Sequence, residues 1–337
     1  VRVFRARTEV PLGKLTLLGG ANSSGKSSAM LGALLLKQTL DSTFDPGPLL
    51  LRGGHVALTS FDQLRARDAT GPAVVGVSTD GGHSLEVAFE RDHQGEIDVV
   101  ESHSRGPRGP VATLRRGGTW RRGRVTRDPF LLGKSLPRSG DFEVPPSALL
   151  AAEALTHILH VPGLRTPPRR DYALTATGET FDGRFDSYVA SVLLEWQRQR
   201  DVRIRQVGRD LEALGLTWKV QAERRGDTLH RAQPGQVVYL EQPELHLHPR
   251  AQHAMARLLV EAAARGVRVV VETHSSILRL GVHAAALSED RLDPTDVRVN
   301  WFERDRLGWT TVHSVTLDRQ GALEDAPVAP RPAAFDD

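Results

Sequence analysis

Three short stretches carry residue types that can do phosphate chemistry. The first, Gly20-Ala21-Asn22-Ser23-Ser24-Gly25-Lys26-Ser27, fits G-x-x-x-x-G-K-[ST]. In that pattern glycines let backbone N–H groups wrap phosphate oxygens, and the helix that follows adds the positive end of its dipole. Lys26 is expected to reach the β- and γ-phosphates, the Ser27 hydroxyl to ligate Mg²⁺, and Ser28 to complete the binding set. The second is the apolar run Val237-Val238-Tyr239-Leu240, which ends in Glu241-Gln242-Pro243-Glu244. A buried strand delivering an acid at its C-terminal end is a Walker B arrangement. Glu241 takes the metal-side position there, Gln242 stands where a general-base Glu is expected, and Glu244 is the next carboxylate available. The third is Val269-Val270-Val271-Glu272-Thr273-His274-Ser275, where a His at the strand end can contact the γ-phosphate. ATP and Mg²⁺ are the expected cofactors, with Gln242, Glu244 and His274 as catalytic candidates. A zinc site at His246, His248 and His274 is the competing reading; no Cys is available to help it, and the alternation of His246 and His248 suits loop packing.

These stretches need elements to hold them. Leu15-Thr16-Leu17-Leu18 reads as a buried strand entering the first motif, and a helical pattern leaves it and runs to about Leu40. Residues 1–12 read as an edge strand and turn. From 73 to 113 the pattern switches to period two, with Gly/Asp/His turns, which predicts an antiparallel meander with one wet face. Residues 145–160 read as a helix, as do 185–214, and an amphipathic helix is expected over 250–264. About 215 residues lie between Lys26 and Glu241. That spacing calls for a large insertion between two halves of one sheet.

Between 106 and 127 the chain is strongly basic, with Arg115, Arg116, Arg121, Arg122 and Arg124 around Trp120. Such a segment suits a nucleic-acid backbone with Trp120 stacking, or equally a solvated hairpin in an Arg-rich protein. The rest of the composition is less pointed. The chain has 337 residues, a net charge of +3 and no Cys. It can bury a full core, and disulfides, thiolate metal sites and Cys nucleophiles are excluded. No stretch approaches ~18 consecutive apolar residues, so no membrane helix or membrane partner is expected, and a cytoplasmic location is.

Taken together, the motifs at 20–27, 240–249 and 271–275 resemble those of the SMC, RecF and OLD heads, ABC-type ATPases of the AAA group. The best match is to bacterial stand-alone heads with a small uncharacterised C-terminal module, here the segment 309–323. The resemblance implies an α/β P-loop NTPase, an ABC-type head with an antiparallel β subdomain and an inserted helical lobe. It would comprise one head over 1–318 (P-loop half 1–64, β subdomain and helical insertion 65–228, Walker B half 229–318) and a tail over 319–337. It also implies a homodimer, or a higher homo-oligomer, with ATP sandwiched between subunits. Two departures stand out. A signature motif is expected just before Walker B, yet 221–236 holds no Ser and is too short for it. A stretch near Asp227-Thr228-Leu229, and a few N-terminal residues, are therefore expected to be missing. Gln242 can orient water but cannot accept its proton, so slow turnover is expected. The function implied is an ATP-binding and ATP-hydrolysing switch that controls a separate effector, possibly a nuclease, in anti-phage defence or DNA maintenance. The alternatives are an ATP-gated DNA clamp and a transporter ATPase subunit. No second acidic cluster follows His274, so the chain is expected to carry no nuclease of its own.

Overall fold

The computed structural model describes residues 3–42, 47–66, 71–115, 146–163, 189–214, 237–245, 247–288 and 292–317. The central sheet contains β1 (Leu15–Gly20), every residue of which is buried. Its neighbours are β6 (Ile158–Val161), β7 (Val237–Glu241), β8 (Arg268–Glu272), β9 (Val297–Arg304) and β10 (Thr310–Thr316). Strand order is β10-β9-β1-β8-β7-β6. β1 pairs in parallel with β8 and β9, β7 with β6 and β8, and β10 closes one edge antiparallel to β9.

Helices cover this sheet, which explains its near-continuous apolar runs. Leu15, Leu17, Val269 and Val271 point to one face and pack on α5 (Pro249–Ala264) and α6 (Ser276–Ser288), through residues such as Leu259 and Val282. Leu18, Tyr239, Val270 and Phe302 point to the other face, in one core with α1 (Lys26–Leu40). That core extends into a second sheet of β2 (Ala73–Ser78), β3 (Ser84–Arg91), β4 (Ile97–Gly106) and β5 (Gly109–Arg115), an antiparallel meander. On β2 inward Ala73 and Val75 alternate with exposed Val74 and Gly76, as the period-two pattern requires, whereas on β3 Val87, Ala88 and Phe89 are all buried where the register shifts. α2 (Pro146–Thr156), α3 (Val189–Arg198) and α4 (Val202–Ala213) lie in the chain between the meander and β7. The architecture is α/β: a mostly parallel six-stranded sheet with an antiparallel β subdomain and inserted helices.

Local chemistry accounts for several differences from the sequence reading. The helix expected over 145–160 ends at Thr156, and the four residues Ile158–Val161 form an edge strand pairing with β7. A run that short has no period of its own to separate it from a helix end. The helix expected over 185–214 is two helices: Arg200 adopts a left-handed φ of 52°, and the Asp201 side chain caps α4 by accepting from the Arg203 N–H. Residues 3–12 form no strand. That segment is tied down by Thr310 N–H donating to the Val3 carbonyl at 2.9 Å and by buried Phe4. The sheet edge expected there is occupied instead by β10, so residues 310–316, read as the start of a C-terminal module, belong to the head's own sheet. Arg115 ends β5, while Arg116, Trp120, Arg121, Arg122 and Arg124, the 227–229 stretch, His246 and the tail beyond 317 fall outside the described residues.

Candidate nucleotide-binding site

The loop between β1 and α1 is shaped by its glycines. Gly20 has φ 136° and Gly25 has φ 109°. A Cβ on Gly20 would sit 2.4 Å from the Phe302 carbonyl oxygen, and one on Gly25 would sit 2.8 Å from the Val3 side chain. Neither position has the conformation or the space for a side chain. The loop opens at the C-terminal ends of the parallel strands, where α/β sheets bind ligands. A cavity of about 810 Å³ lies there, and residues 22–28, Gln242, Glu272 and His274 all line it.

Lys26 is buried, and its ammonium donates to the carbonyls of Gly20 at 3.1 Å and Ala21 at 2.8 Å. Burial lowers its pKa, against the opposing pull of Glu272. The Ser24 hydroxyl is buried and has no hydrogen-bond partner among the described residues. Loop, lysine and orphaned hydroxyl together suit an anion with several acceptor oxygens.

The carboxylate beside Ser27 belongs to Glu272. The Ser27 hydroxyl donates to Glu272 Oε1 at 3.0 Å, and the fully buried Tyr239 hydroxyl donates to Oε2 at 2.9 Å. Burial raises the Tyr239 pKa well above its ordinary value, with the charges of Glu272 and Glu241 adding to the effect, so it stays a donor. Glu272 itself is 5% exposed. It sits there because β8, not β7, is the strand beside β1, with Glu272 in register with Leu18.

Glu241 faces a different set of groups. Its carboxylate accepts from His160 Nε2–H at 3.0 Å and from the Gly163 N–H at 3.1 Å, and it does not line the cavity. Burial alone would raise its pKa, but the hydrogen bonds from His160 and Gly163 override this and lower it. Glu241, expected at the metal-side position, fastens β7 to β6 and the loop after it through these contacts. His160 stacks on Tyr239, with ring centroids 5.3 Å apart, and its Nδ1 lies 3.4 Å from His55 Nδ1. Sequence reasoning did not flag His55, His160, Tyr239 or Glu272. An acid ending an apolar strand was the one visible signal, and it was present on both β7 and β8.

Glu244 does not line the cavity either. It is 9% exposed, and Oε1 accepts from the Thr273 hydroxyl at 2.6 Å and from the N–H groups of His274 and Ser275 at 3.1 and 3.3 Å. Ser275 in turn caps α6, its hydroxyl oxygen accepting from the Leu278 N–H. Glu244 therefore shapes the loop that presents His274 to the cavity. His274 is exposed, and desolvation together with Lys26 lowers its pKa, leaving the imidazole neutral at pH 7. Gln242 lines the cavity from a left-handed conformation, φ 44°, with its N–H donating to the Glu272 carbonyl at 2.7 Å. Among the described residues no group of three His, Cys, Asp or Glu could hold a metal ion by itself, and no helix is long and apolar enough to cross a membrane.

Residues 227–280, from before β7 into α6, match the profile of a family described as an AAA domain, putative AbiEii toxin, type IV toxin–antitoxin system. No curated protein is a detectable sequence relative. Solved structures with a related course of the chain include the SMC head domain from Thermotoga maritima, at 13% identity and a TM-score of 0.41, covering 93% of this chain and 94% of that one. An SmcHead bound to the C-winged helix domain of ScpA has 11% identity and a TM-score of 0.42, covering 95% and 96%. An Smc head with an extended coiled coil, bound to a C-terminal domain of ScpA from Pyrococcus furiosus, has 10% identity and a TM-score of 0.35, covering 91% and 92%. The matched segment carries β7, the turn through Glu244, α5 and β8, the elements that face the G-x-x-x-x-G-K-S loop across the cavity.

Proposed function

We propose that the chain binds ATP with Mg²⁺ in this cavity, hydrolyses it slowly, and uses the bound nucleotide as a dimerising switch over a separate effector protein. The observation that carries the reading is the Ser27–Glu272 contact beside the buried Lys26. A triphosphate gives Lys26 charged acceptors in place of two carbonyl oxygens, and charge-assisted hydrogen bonds are the stronger kind. The Ser27 hydroxyl and the Glu272 carboxylate form a hard-oxygen pair of the type Mg²⁺ takes, and these two residues would hold it. When bound, the metal supplies neutralisation of charge on the phosphate oxygens. Tyr239 fixes the direction of the Glu272 carboxylate. His274, neutral and held by the Glu244-bound loop, meets the terminal phosphate as a hydrogen-bonding group. Gln242 orients the attacking water without taking its proton, which makes turnover slow.

The effector reading draws support from the description of the matched family as a putative AbiEii toxin of a type IV toxin–antitoxin system. The test is mass photometry of the chain with and without MgATP, alongside turnover. We expect a nucleotide-dependent dimer that Lys26→Ala abolishes, and turnover well below the ordinary enzyme median of ~10 s⁻¹. A monomer at saturating MgATP, or turnover at that median, contradicts the switch.

A further inference from the structure

The polar cavity has one apolar end, built by the turn between β9 and β10. Leu307 on that turn is 79% exposed, an unusual setting for a leucine, and Trp309 lines the cavity beside it. The turn is rigid. The Asp305 N–H donates to the Trp309 carbonyl at 2.9 Å, the Trp309 N–H donates to the Asp305 side chain at 2.8 Å, and Gly308 supplies a left-handed φ of 87°. The turn is also fastened to the phosphate loop. The Thr310 hydroxyl donates to the Ser24 carbonyl at 2.7 Å, and the Arg304 guanidinium donates to the Ser23 carbonyl at 3.3 Å. Arg5, which is not among the lining residues, lies 5.6 Å from the centre of the Trp309 ring and steadies it. An aromatic ring and an exposed leucine are thus held at a fixed offset from a loop that suits a polyphosphate.

We propose that this turn is the nucleobase platform of the site. Trp309 stacks on the base and Leu307 covers it, so the pocket takes purine in preference to pyrimidine nucleoside triphosphates. This rests on the nucleotide reading above and adds to it where the base goes and what selects it. Stacking favours the larger ring system, because the contact scales with aromatic area. The two ends of the ligand are then read separately: the phosphates by residues 22–28 and the base by a hairpin almost three hundred residues further along the chain.

The test measures binding of ATP, CTP and inorganic tripolyphosphate, each with Mg²⁺, by competition calorimetry on the full chain. Wild type should bind ATP more tightly than CTP. Trp309→Ala should weaken ATP by about 5- to 100-fold and leave tripolyphosphate unchanged, and Trp309→Phe should recover most of the loss. Leu307→Ala, a surface change that keeps the fold, should weaken ATP about threefold and spare tripolyphosphate. If Trp309→Ala does not fold, Trp309→Phe and Leu307→Ala carry the test. Equal losses for ATP and tripolyphosphate, or no loss for either, overturn the platform. Wild type that binds ATP and tripolyphosphate equally well also overturns the platform but leaves the phosphate site standing. Wild type that binds neither overturns the nucleotide reading, and the platform with it.

Discussion

Acidification should weaken the fold through one histidine, and the amount can be worked out. The His55 pKa is lowered to about 3, first by burial and then by the positive charge of Lys37 and by His160. Lys37 is itself buried, held by the Thr156 carbonyl at 2.7 Å and by Asp41 at 2.7 Å, and cannot move away. His55 Nε2 has no hydrogen-bond partner among the described residues, so a proton there has nothing to bond to. The unfolded chain protonates His55 near 6.5, whereas the folded chain does so only near 3. The stabilisation from keeping it neutral is fully present above pH 6.5 and is lost as pH falls from there toward 3. Linkage gives a loss of about 2 kcal/mol at pH 5, growing by about 1.4 kcal/mol for each further pH unit above the folded value. The assay is urea denaturation of wild type and His55→Gln at pH 7.5, 6 and 5. Glutamine keeps a hydrogen-bonding group beside His160 Nδ1, and any fixed offset between the proteins cancels when slopes are compared. Wild type should lose about 2 kcal/mol more than the variant between pH 7.5 and 5. Parallel curves would refute the neutral, half-buried His55.

Three further outcomes follow from the site. Gln242→Glu supplies the missing proton acceptor and should raise ATP turnover at least about tenfold in a phosphate-release assay, unchanged turnover removing Gln242 from the water-orienting role. Glu244→Gln keeps an acceptor for Thr273 and the two backbone N–H groups, so its turnover should stay within about twofold of wild type, whereas Glu244→Ala should lower stability by roughly 1–3 kcal/mol. A total loss of turnover in Glu244→Gln would instead mark it as the base. Gly25→Ala places a methyl group against Val3 and Thr310 at a left-handed φ and should abolish MgATP binding by calorimetry, with wild-type affinity refuting the packing described.

How much of this was legible in the sequence depended on how local each feature is. The phosphate loop was legible because strand, glycines, lysine and helix are contiguous, and the structure has them over Leu15–Gly20 and Lys26–Leu40. The meander was legible from its period-two pattern. Which of two acids faces Ser27 was not, because Glu241 and Glu272 each end an apolar strand. The choice is made by the order β1-β8-β7, a long-range property of the sheet. Glu244 illustrates the same limit. A carboxylate near a phosphate site invites a catalytic reading, but packing against residues 273–275 uses it as an acceptor. His160 lay in an expected helix end, and it became a partner of Glu241 only because Ile158–Val161 extends the sheet.

The division of labour between the two acids is the centre of this account, and the Mg²⁺ dependence of ATP binding tests it most directly. The measurement is the Mg²⁺ concentration for half-maximal ATP binding in wild type, Glu272→Gln and Glu241→Gln. We expect Glu272→Gln to raise it at least about tenfold, and Glu241→Gln to leave it at the wild-type value while lowering stability by roughly 1–3 kcal/mol through the lost partner of His160 and Gly163. A large rise in Glu241→Gln with none in Glu272→Gln would contradict the account and return the metal-side role to the Walker B strand.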